Sequence, residues 1–233
     1  RYNCDSYWFS SSCQCVFNVT KSVVKMKSGF VSNIGRPSSG KSTLLNRICG
    51  HKVSIVSPVP QTTRNAVRGI FTDQRGQLVF IDTPGFHTSE RVFNRHMTDL
   101  IVRSFDDVEL ILYIVDATRP PGAEEESLRQ MVSGHTGRVV CGINKCDEGS
   151  FVREHHRLLI KLTDPDRIVS FSALTGDGVN ELIDRLIEAA PEGEPSYPED
   201  FYTDQDPEFR VAEIIRDTAI LKARQEAPHP IDV

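Results

Sequence analysis

The stretch that decides the fold is GRPSSGKS, residues 35–42. It matches the pattern G-x-x-x-x-G-K-S and lies between an apolar run that begins at Phe30 and an amphipathic segment that begins near Ser42. A strand, a glycine-rich turn and a helix in this order form a phosphate-binding loop, because backbone N–H groups and the helix N-terminus face the phosphates. Lys41 would lie between the terminal phosphates, and the Ser42 hydroxyl would reach a magnesium ion. The predicted phosphate contacts are Gly35, Arg36, Pro37, Ser38, Ser39, Gly40, Lys41, Ser42 and Thr43.

The rest of the chain alternates between apolar runs and amphipathic segments. Strands are predicted at 30–34, 66–71, 77–81, 110–115, 139–143 and 167–171. Helices are predicted at 42–49, 91–103, 124–132, 151–162 and 178–189. A turn-rich stretch at 73–76 predicts a hairpin, and runs that are apolar throughout are typical of strands covered on both faces. The pattern predicts an α/β fold of the P-loop NTPase type, with a six-stranded, mainly parallel sheet and helices on both faces.

Composition limits the function classes. The 233 residues are 39% hydrophobic and 25% charged, which is ordinary for a globular protein. A formal net charge of -5 argues against a general attraction to nucleic acid or anionic lipid. Residues 26–190 are predicted to form one domain, and the proline-rich, acidic stretch 191–206 is predicted to be a linker that ends it. Residues 1–25 show no clear period and are expected to be an extension outside the fold.

Asp82-Thr83-Pro84-Gly85 follows a predicted strand. An aspartate at a strand end is placed to hold magnesium through water, and the Gly85 N–H can approach a γ-phosphate. Such a tetrapeptide alone is typical of an ordinary turn. After a phosphate-binding loop, it indicates a site for magnesium and phosphate.

Asn144-Lys145-Cys146-Asp147 and Ser172-Ala173-Leu174 follow the next strands of the predicted sheet. Guanine carries adjacent N1–H and N2–H₂ donors that one carboxylate can accept, and Asp147 would take that role. Asn144 would brace the loop, and the stem of Lys145 would cover the base. Loops at the carboxyl ends of neighbouring parallel strands converge on one ligand. The pattern therefore predicts a guanine nucleotide and disfavours an ATP-dependent enzyme.

These motifs resemble the Era family, bacterial GTPases of ribosome assembly. The resemblance rests on GRPSSGKSTLLN, QTTR, DTPGFH, NKCD, SAL and the stretch YPEDFYTDQDPEFRVAEIIRD, and it covers residues 26–233. It implies that GTP and GDP bind with Mg²⁺, that Thr63 joins Ser42 and Asp82 as a magnesium ligand, and that Lys41, Thr63 and Gly85 serve catalysis. Thr62 is the alternative to Thr63. The resemblance also implies that the alanine N–H in Ser172-Ala173-Leu174 meets the guanine carbonyl oxygen.

The resemblance further implies a slow GTP-hydrolysing switch that acts in assembly of the small ribosomal subunit, where the family's KH domain binds 16S rRNA. The alternative is a guanine-nucleotide-gated binding module with negligible hydrolysis. Residues 207–233 match only the first KH helix, so we expect weak rRNA binding by this chain. Phe86 stands where Ras-type proteins place a catalytic glutamine. Relatives with an apolar residue there often recruit K⁺, held partly by an asparagine that is Ser38 here, so weak or absent K⁺ stimulation is expected. The alternative is that Ser38 is a neutral loop variant. The family implies a cytoplasmic monomer, with peripheral association at the inner membrane face as an alternative.

Overall fold

The computed structural model of the chain describes residues 26–54, 67–82 and 105–206, together with 208, 211 and 215. Its strands are β1 (Lys27–Gly35), β2 (Val67–Asp73), β3 (Gly76–Asp82), β4 (Leu110–Asp116), β5 (Val139–Asn144) and β6 (Ile168–Ser170). Its α-helices are α1 (Lys41–Cys49), α2 (Ala123–Val132), α3 (Val152–Leu159) and α4 (Val179–Ala189). Short 3₁₀ turns at Ser133–Arg138 and Pro165–Arg167 precede β5 and β6.

The strands form one sheet in the order β2-β3-β1-β4-β5-β6. Only β2 and β3 pair antiparallel, through the turn that the sequence predicts as a hairpin, and all other neighbours are parallel. The predicted fold class is therefore confirmed. Because the parallel strands end at the same edge, the loops that follow β1, β3, β4, β5 and β6 gather there.

Two apolar layers cover the sheet. On one face, Leu44 of α1 and Leu182 of α4 pack in a fully buried cluster with residues of β1, β3 and β4. On the other face, Leu128 of α2 and Leu159 of α3 pack against β4 and β5. Every residue of β4 is buried, which explains why its sequence is apolar without alternation.

The structure shifts some predicted boundaries and leaves others untested. The helix predicted at 151–162 ends at Leu159, because the next turn tightens through a bond from the Leu162 N–H to the Leu159 carbonyl of 2.8 Å. The predicted helix at 91–103 and the predicted extension at 1–25 lie outside the described residues. None of the helices in the described ranges is both long and apolar enough to span a membrane.

Residues 191–206 lie against the β2–β3 edge of the sheet. The buried side chain of Gln77 accepts a bond from the Tyr197 N–H and donates to the Tyr197 carbonyl, both at 2.9 Å. Further along, the Thr203 hydroxyl donates to the Arg68 carbonyl at 2.8 Å. The proline-rich stretch is thus held to the domain by specific hydrogen bonds.

Candidate nucleotide-binding site

The loop between β1 and α1 has the backbone that its glycines permit. Gly40 adopts the left-handed region with φ of 94°, and its missing Cβ leaves room for the side-chain amide of Asn144. A Cβ at Gly35 would collide with the carbonyl of Ile114. Ser38 is also left-handed, with φ of 62°, where a serine is strained. The loop therefore turns tightly into α1, in the form that a phosphate requires.

Lys41 is the first residue of α1 and is almost fully buried. Its Nζ donates to the carbonyls of Gly35 at 3.1 Å and Arg36 at 2.9 Å, so the ammonium lies over the loop. Burial lowers the pKa of Lys41 to about 8, although the nearby charge of Asp82 acts in the opposite direction. A phosphate group in the loop would supply the anion that this buried ammonium lacks.

Asp82, at the end of β3, is fully buried beside α1. Its Oδ2 accepts bonds from the hydroxyls of Ser42 at 2.8 Å and Ser54 at 2.9 Å. Its Oδ1 is buried and has no hydrogen-bond partner among the described residues. Burial raises the pKa of Asp82, although Lys41 and the two serine hydroxyls oppose that shift.

These oxygens suit a magnesium ion. Mg²⁺ prefers hard oxygen ligands and keeps several waters, and proteins bind it through one or two carboxylates together with substrate phosphates. The described residues contain no group of three or more histidine, cysteine, aspartate or glutamate side chains that could hold a metal alone. One carboxylate and one hydroxyl beside a phosphate loop therefore fit Mg²⁺ bound with a nucleotide.

Asn144, at the end of β5, joins the phosphate loop to the two loops predicted to read the base. Its Nδ2 donates to the Ser39 carbonyl at 2.7 Å. Its Oδ1 accepts bonds from the Lys145 N–H at 2.7 Å and the Ala173 N–H at 2.9 Å. The side chain is 1% exposed, so these three bonds fix loops from three different parts of the chain.

The side chain of Lys145 is held by another residue, whereas that of Asp147 is exposed. The Nζ of Lys145 bonds to Oδ2 of Asp116 at 2.7 Å, while Oδ1 of Asp116 accepts bonds from the backbone N–H and hydroxyl of Thr118. Burial acts to raise the pKa of Asp116, but the bonds from Lys145 and Thr118 lower it overall. Asp147 is exposed at the end of this loop and makes no hydrogen bond to a described residue, so its carboxylate is open to a ligand.

The loop after β6 contains Ser172, Ala173 and Leu174. The Ala173 N–H, predicted to meet the guanine carbonyl oxygen, already donates to Asn144, whereas the Leu174 N–H has no acceptor among the described residues. Ser172 is buried, and its hydroxyl accepts the Thr175 N–H at 3.1 Å. Arg47 of α1 bonds to the carbonyls of both Ala173 and Leu174.

The remaining predicted residues differ in their surroundings. Arg36 forms ion pairs with Glu124 and Glu125, both at 2.6 Å, so its charge is directed at α2. Pro37 and Thr43 are half-buried in the loop and in α1, and Ser39 is buried. The predicted site residues Thr62, Thr63 and Gly85, and Phe86 with them, lie outside the described residues.

Sequence reasoning missed three residues of this site. Asp116 ends β4 as Asn144 ends β5, and the two are paired in the parallel register, so a strand-end carboxylate was the available signal. Arg47 and Ser54 carry no motif that would have singled them out. Their roles depend on contacts with distant loops.

Comparisons with known proteins agree with this geometry. A family model described as 50S ribosome-binding GTPase matches residues 30–145. The GTPase Era of Treponema denticola is 46% identical over 210 residues, covering 88% of this chain and 71% of that protein. The GTPase Era of Borreliella burgdorferi is also 46% identical, with 89% and 72% covered.

Two solved structures are similar over most of this chain. One is a crystal structure of Era in complex with MgGDPNP and nucleotides 1506–1542 of 16S ribosomal RNA, 36% identical, with a TM-score of 0.74, covering 83% of this chain and 67% of that one. The other is a variant of Aquifex aeolicus Era bound to GDP·AlF₄⁻, 35% identical, with a TM-score of 0.75, covering 84% and 68%.

The fold, the phosphate loop and the loops at the strand ends define a P-loop GTPase. Within that class, the chain belongs to the Era family of GTPases. The family and enzyme class predicted from the motifs are thereby confirmed.

Proposed function

We propose that this GTPase binds GTP and GDP together with Mg²⁺ where the loops after β1, β3, β5 and β6 meet. The observation that carries the proposal is the buried side chain of Asn144, which joins Ser39 of the phosphate loop to Lys145 and Ala173. One side chain thus connects the phosphate-binding loop to the two loops proposed to bind the base. The relatives solved with MgGDPNP and GDP·AlF₄⁻ support the choice of ligand.

In this proposal, residues 35–43 hold the phosphates through backbone N–H groups and Lys41. Ser42 is the direct magnesium ligand, and Asp82 acts through a water molecule. The magnesium ion would neutralise charge on the β- and γ-phosphates. The roles of Thr63 as the second protein ligand and of the Gly85 N–H at the γ-phosphate remain family-based proposals.

Base recognition falls to Asp147. Its exposed carboxylate can accept both donors of guanine, while Lys145, held by Asp116 at 2.7 Å, lies beside the same loop. The Leu174 N–H, with no acceptor among the described residues, is available to the guanine carbonyl oxygen, whereas the Ala173 N–H already donates to Oδ1 of Asn144. Guanine rather than adenine is therefore the expected base.

We further propose that hydrolysis is slow without an activator. Phosphoryl transfer depends on positioned charge and an oriented water. Phe86 follows Gly85 in the sequence, and a phenyl ring cannot orient water by hydrogen bonding. Arg36, the arginine within the phosphate loop, is engaged by Glu124 and Glu125. The unaided rate is expected to be on the order of 10⁻³ per second or lower, as for intrinsic Ras.

Asp147→Asn tests the base assignment. An amide presents N–H donors where the carboxylate accepts, so GTP affinity should fall at least about tenfold and xanthosine triphosphate should become the preferred ligand. Equilibrium titration with both nucleotides measures this. Asp166→Asn, at an exposed aspartate in the 3₁₀ turn before β6, is the matched control. Unchanged affinities of Asp147→Asn for both nucleotides would remove Asp147 from the site.

We also propose that this chain acts in assembly of the small ribosomal subunit through contact with 16S rRNA. The support is family membership and the relative solved with a 16S rRNA fragment. Co-sedimentation with small subunits at low salt, where weak phosphate contacts persist, compares the GTP-analogue, GDP and nucleotide-free forms. A larger bound fraction with the GTP analogue is expected. Equal binding in all three forms would contradict a nucleotide-controlled role.

A further inference from the structure

Ser54 is a buried serine that touches the site without belonging to any nucleotide motif. It is 3% exposed, and its hydroxyl donates to Oδ2 of Asp82 at 2.9 Å. It follows α1 by only a few residues and belongs to neither the phosphate loop nor the strand that carries Asp82. Its contact with Asp82 therefore depends on how the chain is held after α1.

Asn46 of α1 supplies that hold. Its Oδ1 accepts bonds from the N–H groups of Val53 at 2.7 Å and Ser54 at 2.8 Å. Its Nδ2 donates to the Ser54 carbonyl at 2.8 Å. Both backbone groups of Ser54 are thus fixed by one side chain, and the hydroxyl is directed at Asp82 by the backbone position that results.

The two bonds to Asp82 fall on the same oxygen. Ser42 and Ser54 both donate to Oδ2, while Oδ1 is buried with no partner among the described residues. Two donors from different directions restrict rotation of the carboxylate more than one donor can. Ser42 lies in α1 and Ser54 in the segment that Asn46 ties to α1, so the two hydroxyls reach Oδ2 from different parts of the chain. Together they leave Oδ1 free to accept a bond from metal-bound water.

We propose that Ser54 is a positioning residue for magnesium, which orients the Asp82 carboxylate and is itself held by Asn46. The inference rests on the proposed function, because it assumes that Asp82 serves a magnesium ion bound with a guanine nucleotide. Ser54 does not contact the ion. Its effect is confined to the carboxylate, so its removal should weaken magnesium binding while leaving the contacts of phosphates and base with the protein intact.

The test measures retention of a fluorescent GDP by the full chain as magnesium is titrated from an excess of chelator upward. Ser54→Ala should raise the magnesium concentration for half-maximal retention by roughly threefold to tenfold, the effect of losing one hydrogen bond. GDP affinity in chelator should change by less than about twofold. Ser54→Thr, which keeps a hydroxyl, should recover part of the shift.

Two further variants complete the design. Asn46→Ala leaves both serine hydroxyls in the chain and should shift the magnesium midpoint in the same direction, so it carries the test if Ser54→Ala does not fold. Thr163→Val removes a hydroxyl that donates to the Val139 carbonyl at 3.2 Å, at the amino end of β5 and thus opposite the edge that carries the site, and should leave the midpoint unchanged.

The outcomes distinguish failure of the Ser54 proposal from failure of the proposed function. If the unmodified chain does not retain GDP at any magnesium concentration, the proposed function fails and the inference with it. If the unmodified chain retains GDP but Ser54→Ala weakens retention equally with and without magnesium, Ser54 only supports the fold, and the inference is overturned. An unshifted magnesium midpoint in Ser54→Ala overturns it as well.

Discussion

Asn144→Ala should lower the free energy of unfolding of the nucleotide-free protein, by an amount that follows from the hydrogen bonds of Asn144. The substitution removes the bond to the Ser39 carbonyl and the bonds from the Lys145 and Ala173 N–H groups. A buried polar group that loses its partner costs about 1–3 kcal/mol. Two of the three partners, the Ser39 carbonyl and the Ala173 N–H, lie in buried surroundings, so the loss should be about 2–6 kcal/mol in the free energy of unfolding.

Urea unfolding of the nucleotide-free chain, followed by circular dichroism, measures that loss. The matched control is Asn180→Ala, at an exposed asparagine in the first turn of α4, which should change the free energy of unfolding by no more than about 0.5 kcal/mol. If Asn144→Ala matched this control, the three bonds would contribute nothing net, and Asn144 would not fix the loops. The same variant should also bind GTP more weakly, because its phosphate and base loops are no longer joined.

Other predictions concern charge, backbone strain and the segment after α4. Burial lowers the pKa of Lys41 from its ordinary 10.5 to about 8. Between these two values the unfolded chain binds more protons than the folded chain, so the contribution of Lys41 to the free energy of unfolding rises with pH. Lys41→Met should abolish that rise, which is at most about 3 kcal/mol, in urea titrations at pH 7 to 10.5. Ser38→Asn should stabilise the left-handed loop position by roughly 0.5–1 kcal/mol. The same variant should raise the rate of single-turnover GTP hydrolysis in potassium but not in sodium. Strong potassium stimulation of the unmodified chain would contradict this expectation about hydrolysis. Gln77→Leu should free the chain around Tyr197 and speed proteolytic cleavage within residues 191–206, and an unchanged cleavage rate would show that Gln77 does not hold this segment.

The sheet was predictable because each strand carries a clear local signal. The apolar run of β4 and the turn between β2 and β3 are both visible in the sequence, and the structure confirms them. Helix ends were less predictable, since α3 ends at Leu159 through a tightened turn that periodicity does not reveal. The attachment of residues 191–206 was also hidden, because it depends on the buried Gln77 accepting backbone N–H groups 119 and 120 positions away.

Site residues in contiguous motifs could be predicted from the sequence, whereas those that act through distant contacts could not. The phosphate loop and the strand-end motifs are contiguous in sequence, so their residue types and order predict the chemistry directly. Ser54 and Arg47 act on Asp82 and on the Ala173 loop through contacts that span 28 and 126 positions. A serine or arginine near a helix end has many ordinary uses, and only the folded chain shows what it touches.

Asp116 is a residue that sequence and strand order together could have identified. In a parallel sheet, residues that end neighbouring strands lie side by side, and the register pairs Asp116 with Asn144. The residue after Asn144 is Lys145, which belongs to the loop proposed to bind the base. A carboxylate at the end of β4 is therefore placed beside this lysine, and the two form a bond of 2.7 Å. The same reasoning places Asn144 between the phosphate loop after β1 and the loop after β6, because β5 lies between β4 and β6 in the sheet. In the proposed site, phosphate binding and base selection would therefore share a buried support at one strand end, and a change that loosens Asn144 should weaken both together.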